Sequence, residues 1–158
     1  VNAAPTTGDR IDPITIATTR GPLDVPDASG RPTLLLFYVE SKTPLCARQL
    51  GAFEQDAEML AEAGAVALAV SVDTFEQQQE FAGALDCRSL ALAADPDGLL
   101  ARRFGVFDEE ARRAHRAAFV IGGDGTILAA EAWYNPSNST QYAELFAALL
   151  PQMENGNG

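Results

Sequence analysis

Apolar and polar positions along the chain fall into blocks whose spacing changes several times. Thr33 to Tyr38 is a short continuous apolar run after the turn-rich Asp27-Ala-Ser-Gly-Arg-Pro32, the pattern of a central strand buried on both faces. From Pro44 to Ala63 the period becomes helical, with Leu50, Phe53, Ala57 and Leu60 on one face. Glu54, Asp56, Glu58 and Glu62 read as a solvated face, and Gly64 ends the helix. Ala65 to Val72 is a second buried strand; Asp73 and Glu76 then match a capping-box spacing for a helix running to about Leu85. Ser89 to Ala94 reads as a third strand, closed by the turn Asp95-Pro-Asp-Gly98, which also starts a short helix over Leu99 to Phe104. Ala117 to Ile121 and Thr126 to Ala132 flank Gly122-Gly-Asp-Gly125, a hairpin turn whose glycines permit positive φ. A last amphipathic helix from Ser139 to Leu150 carries Tyr142, Leu145, Phe146 and Leu149 on one side, with Pro151 as its stop.

Ahead of these elements, Ile11 to Ile16 alternates weakly, and Gly21, Pro22 and Pro26 punctuate a hairpin. Strand and helix alternate up to the third strand, and a β-hairpin and a helix follow. That order predicts an α/β protein with a central mixed β-sheet, helices on both faces and an N-terminal hairpin extension, the thioredoxin-like arrangement. One domain over residues 1–158 is expected, with 1–8 and 152–158 as flexible ends.

Composition narrows the function classes. Eleven basic against twenty-two acidic residues give a net charge of -11, which disfavours nucleic acid and anionic membranes as partners. No apolar run approaches the roughly 20 residues that span a bilayer, and no signal peptide is visible, so a cytoplasmic location is expected. Because the chain starts at Val1, an upstream targeting segment is compatible with this reading. Two cysteines and one histidine are too few for a disulfide framework or a zinc cluster, and no cofactor is expected. Asp95 and Asp97 resemble a fragment of a calcium loop whose other ligands are missing. Asn138-Ser-Thr140 fits a glycosylation sequon without any sign of secretion.

Thiol chemistry is what remains. Thr43 suits an N-cap and Pro44 the first helical position, which puts Cys46 in the first helical turn, at the end of a central strand where ligands of α/β sheets collect. Unpaired backbone N–H groups and the helix dipole there stabilise a thiolate, lowering a pKa that is about 8.5 in free cysteine. Cys46 also shares the apolar face with Leu50 and Phe53, so periodicity alone favours an inert core thiol over a reactive one. Arg116, ahead of a strand, reads either as a site cation or as one of the surface arginines with Arg112 and Arg113. His115 has no triad around it and reads as structural, while Trp133 and Tyr134 fit a site edge or an interface.

Thr43-Pro-Leu-Cys46 directly after Phe37-Tyr38 resembles the Thr-x-x-Cys half of the peroxiredoxin motif Pro-x-x-x-Thr-x-x-Cys, most like the Q-type, or bacterioferritin comigratory protein, branch. Asp95-Pro-Asp-Gly98, Phe104-Gly-Val106, Arg116 to Ile121 and the Asp124-Gly125 turn follow in that family's order. The resemblance implies a thiol peroxidase in which Cys46 attacks hydrogen peroxide or an organic hydroperoxide, Thr43 and Arg116 hold and polarise it, and thioredoxin or another thiol restores the enzyme. A monomer or homodimer is expected, the sequence itself setting no choice between them. Cys87 is then the candidate resolving cysteine, against a semi-buried bystander. Two positions depart from the pattern: Val39 stands where the motif begins with proline, and Gly51 where Q-type members often carry the partner cysteine. These departures keep open a second reading, a catalytically weakened thioredoxin-fold module that senses redox state or binds proteins.

Overall fold

The computed structural model describes residues 4–27, 29–38, 54–62, 64–84, 89–135 and 138–156, with side chains to residue 149. The apolar runs become strands of one seven-stranded sheet. In chain order they are β1 (Ile14–Thr18), β2 (Gly21–Val25), β3 (Thr33–Phe37), β4 (Val66–Ser71), β5 (Ala91–Ala94), β8 (Ala117–Ile121) and β9 (Ile127–Glu131). A separate two-stranded ribbon, β6 (Phe107–Asp108) and β7 (Arg113–Ala114), lies between β5 and β8 in sequence. Spatial order is β2-β1-β5-β4-β3-β8-β9. Parallel pairing of β3 with β4 and of β4 with β5 makes a three-stranded centre, while β1, β2, β8 and β9 add antiparallel flanks. The N-terminal hairpin and the mixed sheet are thus as the sequence predicts.

Every residue of β3 and β8 is buried, because alternate side chains enter two different cores. Leu34, Leu36, Ala67, Ala69, Leu92 and Val120 face one core. Its helical cover comes from α1 (described over residues 54–62), α2 (Phe75–Ala84) and α4 (Ser139–Gly156), through Ala57, Leu60, Phe81, Leu145 and Leu149. Leu35, Phe37, Leu68, Val70 and Phe119 face the other core, closed by α3 (Leu99–Arg103) with Leu100 and Ala101 and by Phe104 and Val106 after it. Among the described residues, no helix is long and apolar enough to cross a membrane.

Local signals explain where elements start and stop. Gly64, at φ +92°, ends α1 with Ala65 N–H donating to Leu60 O at 2.8 Å and Gly64 N–H to Ala61 O at 3.2 Å, a Schellman exit. The same pair of bonds ends α3: Val106 N–H donates to Ala101 O and Gly105 N–H to Arg102 O, which accounts for Phe104-Gly-Val106. Asp95 opens α3 by accepting from the amides of Leu100 at 3.0 Å and Ala101 at 2.9 Å. Its role is thus that of a helix anchor, and no cluster of residues able to hold a metal occurs among those described. At the β8–β9 turn only Gly125 needs positive φ; Gly123 is required for close approach, since a Cβ there would lie 2.2 Å from the Gly30 carbonyl oxygen.

Four features differ from the sequence reading. The capping box of α2 is Thr74 with Gln77, one residue later than Asp73 with Glu76: Gln77 N–H donates to Thr74 Oγ1 and Thr74 N–H to Gln77 Oε1. Asp73 is engaged instead by the Ser71 hydroxyl at 2.6 Å. Helix α4 continues through Pro151 to Gly156 instead of stopping there, Pro151 forgoing only its own N–H bond to the preceding turn. The β6–β7 ribbon was not anticipated; its turn uses Asp108 Oδ1 as acceptor for the amides of Glu110 and Ala111, and Arg112 at φ +56°. Finally, Glu54 and Asp56 do not belong to the solvated face of α1. Glu54 is buried, and Asp56 accepts a hydrogen bond from the Tyr142 hydroxyl of α4.

Where α4 meets β9, burial and then the neighbouring Glu144 raise the Glu131 carboxyl above its ordinary value. The folded state therefore binds this proton more tightly than the unfolded chain, and stability falls as pH rises through the interval between the two values. Glu131→Gln is expected to raise the thermal midpoint at neutral pH and to leave it nearly unchanged at acid pH, where Glu131 is already protonated. Melting curves at both pH values check this; equal midpoints for the two proteins at neutral pH would contradict it.

Candidate functional site

The parallel strands β3, β4 and β5 end together, and α1 and α2 follow the first two of them, so this edge of the sheet is where a ligand is expected in an α/β fold. A buried chain of polar side chains lies beneath it. The Tyr38 hydroxyl, just past β3, donates to Gln78 Oε1 of α2. Gln78 Nε2 donates to Ala93 O of β5 at 2.7 Å and to Ser71 Oγ of β4 at 3.0 Å. Ser71 Oγ in turn donates to Asp73 and accepts the Asp73 amide at 3.2 Å, so its donor and acceptor capacity is filled. One helix residue thereby ties together the ends of three strands, and an internally satisfied network of this kind rigidifies the surface above it.

Arg116 stands at the same edge. The antiparallel register pairs Phe37 with Ala117, so one step further Arg116 lies beside Tyr38, at the point where the chain runs on toward Thr43 and Cys46. The residue is half-buried, and its Nε is inaccessible to solvent. Its carbonyl accepts the Tyr134 amide at 2.9 Å. Thr43, Cys46, Val39, Gly51 and Cys87 lie outside the described residues. The anchors of the segments that carry them are described. Glu54, buried at the start of the described part of α1, accepts the amides of Ser89 at 2.8 Å and Leu90 at 2.7 Å, the residues that follow Cys87's segment.

His115 is structural, as its lack of a triad suggested: Nε2 lies 2.7 Å from Ala132 O and the ring stacks on Trp133, centroids 3.6 Å apart and planes 4° from parallel. Trp133 is 74% exposed, whereas Tyr134 is buried; burial first, then the carboxylates of Asp56 and Glu131, push its phenol up to about 12, so it stays protonated. Sequence reading missed Gln78, Glu54 and Gln141, each a polar residue on a helix whose partners lie on other elements. The available signal was weak, a glutamate or glutamine at positions adjoining an apolar face.

The matching family is the AhpC/TSA family, over residues 7–130. The putative peroxiredoxin bcp of Coxiella burnetii is 27% identical over 129 residues, covering 77% of this chain and 85% of that protein. Peroxiredoxin Bcp of Escherichia coli K12 is 29% identical over 111 residues, with 66% and 70% covered. Alkyl hydroperoxide reductase C of Staphylococcus haemolyticus is 29% identical over 108 residues, and there the match spans 57% of the relative's length. Among solved structures, peroxidoxin BcpB from Mycobacterium tuberculosis superposes with a TM-score of 0.78 at 24% identity, covering 92% of this chain and 97% of the other. The peroxiredoxin-like protein from Aquifex aeolicus gives 0.78 at 18% identity, covering 94% and 90%. These structural matches establish the thioredoxin-like fold that the order of elements predicts. The family match takes in the strand, the Thr-x-x-Cys segment and Arg116, and extends into β9, so the chain belongs to the AhpC/TSA family.

Proposed function

We propose that the protein is a thiol-dependent peroxidase in which Cys46 is the nucleophile and Arg116 and Thr43 hold the peroxide. The observation that carries this reading is the place of Arg116, immediately before β8 and beside the end of β3, the strand from which the chain leads to Thr43 and Cys46. Family membership supports it, as do relatives named peroxiredoxin and alkyl hydroperoxide reductase. The Cys46 thiolate attacks the nearer oxygen of a hydroperoxide in line with the O–O bond; an S–O bond forms, the O–O bond breaks, and the leaving oxygen departs as an alkoxide or hydroxide that takes up a proton. A guanidinium is always charged and offers fixed donors, so Arg116 stabilises both the thiolate and the charge growing on the leaving oxygen.

The product is Cys46 sulfenic acid, which condenses with a thiol to a disulfide and releases water. Cys87 or an external thiol supplies that sulfur, and a dithiol such as thioredoxin then reduces the disulfide in the cytoplasm. The test is intact and peptide mass spectrometry after one equivalent of hydrogen peroxide, with and without dimedone. A dimedone adduct on the Cys46 peptide, or a loss of two hydrogens mapping to a Cys46–Cys87 pair, is expected. Cys46 found unmodified after the peroxide has been consumed would refute the proposal.

A further inference from the structure

Residues 132–135, the first part of the connection from β9 to α4, run beside the start of β8 as a strap held from both sides. From α4, Gln141 is the clamp. Its Nε2 donates to Trp133 O at 3.0 Å and to Glu131 Oε2 at 3.2 Å, while its Oε1 accepts the Asn135 amide at 2.8 Å. Gln141 is itself fixed in the first turn of its helix, since Asn138 Oδ1 accepts the amides of Thr140 at 3.0 Å and Gln141 at 3.2 Å. From the other side, His115 bonds Ala132 O and carries Trp133 flat against its ring. A carbonyl oxygen only accepts, so Nε2 bears the proton in this contact. The strap's own inward contact is the Tyr134 amide donating to Arg116 O at 2.9 Å.

These contacts form a continuous path, from α4 through Gln141 to the strap and from the strap to the Arg116 backbone. Polar side chains spent on the carbonyls and amides of a short connection fix its position closely. On the solvent side, the 74% exposed Trp133 lies in a parallel stack on His115. We infer that Gln141 and His115 are positioning residues for Arg116, clamping the 132–135 strap so that the Arg116 backbone, and with it the guanidinium, is held at the end of β3. The inference rests on the peroxidase reading above, because Arg116 must take part in the reaction for its position to matter. Displacements of about 1 Å in a positioning group can cost up to about a hundredfold in rate. Losing one of two clamps is a smaller perturbation than that.

The experiment is a double-mutant cycle on the full chain, with the second-order rate constant for single-turnover hydrogen peroxide reduction as readout. Gln141→Leu and His115→Phe are each expected to lower that constant by about tenfold in the wild-type background, by the positioning argument above. In an Arg116→Ala background neither is expected to lower it further, because the group they position is gone. Trp133 is the chain's single tryptophan, so acrylamide quenching of its emission reports directly on the strap and should increase in both variants. If Gln141→Leu does not fold, Gln141→Glu serves in its place, keeping the acceptor for Asn135 and losing the donor to Trp133 O. Equal losses in the two backgrounds, or looser quenching with an unchanged rate, would overturn the inference while leaving a Cys46-dependent peroxidase in place. Undiminished peroxide reduction by Cys46→Ser would remove the peroxidase reading, and the positioning role with it.

Discussion

Replacing Cys46 by serine is expected to bring peroxide consumption down to the rate of the protein-free solution. The argument is chemical before it is structural. Thiolate is the reactive form, and a cysteine whose pKa is lowered by a helix start and a nearby cation is largely ionised at neutral pH. A serine hydroxyl at the same place is a weak nucleophile without an adjacent base, and His115, the chain's one histidine, is occupied with Ala132 and Trp133. Arg116→Ala should leave the thiol but remove the fixed donors, costing about 10²- to 10³-fold, the usual range for deleting one preorganised donor to a developing oxyanion. Arg116→Lys should fall between the wild type and Arg116→Ala, since it retains charge and loses the rigid fork. Stopped-flow mixing with hydrogen peroxide measures all three. Consumption by Cys46→Ser at the wild-type rate would contradict the assignment of the nucleophile, and an Arg116→Ala enzyme at full rate would contradict the role of the cation.

How much of this was legible in the sequence depended on whether a residue's role was local. The apolar run Thr33 to Tyr38 could only be a strand buried on both faces, and β3 is one; Gly64 after a helical period marked a helix end, and its φ of +92° makes it one. Asp73-Thr-Phe-Glu-Gln77 holds a second box, Thr74 with Gln77, overlapping the Asp73 and Glu76 spacing that the sequence reading takes. Ser71, which engages the Asp73 carboxylate, decides between them, and that contact depends on where β4 ends. The helix period puts Glu54 beside acidic neighbours and predicts a solvated residue, yet it turns inward to Ser89 and Leu90, just ahead of β5 and more than thirty residues later. Arg116 could be separated from Arg112 and Arg113 only by the order of motifs around it, and the antiparallel register then places it beside Tyr38. Gln141 gave only a weak sign, since its partners lie at the end of β9 and in the connection before its own helix, whose path periodicity does not describe.

Glu54→Ala is expected to be the most destabilising of the substitutions considered, by about 2–4 kcal/mol. Both oxygens of this buried carboxylate accept backbone amides, from Ser89 at 2.8 Å and Leu90 at 2.7 Å. Those amides begin the approach to β5, and Leu90 itself is fully buried. Alanine leaves the buried Leu90 N–H and the half-buried Ser89 N–H without an acceptor, at about 1–3 kcal/mol for the first and less for the second, which water reaches more easily. For a chain of this length the loss corresponds to a fall of about 5–15 °C in thermal midpoint, taking about 2–4 °C per kcal/mol. Glu54→Gln should lose less, because one carbonyl oxygen still accepts while its NH₂ faces the second amide donor to donor. The clamp also joins the two cysteine-bearing stretches of sequence: Glu54 follows Cys46 on one, and Ser89 and Leu90 follow Cys87 on the other. Urea unfolding of the reduced proteins checks the stability difference, and a Glu54→Ala chain with the midpoint of the wild type would show that this carboxylate anchors nothing.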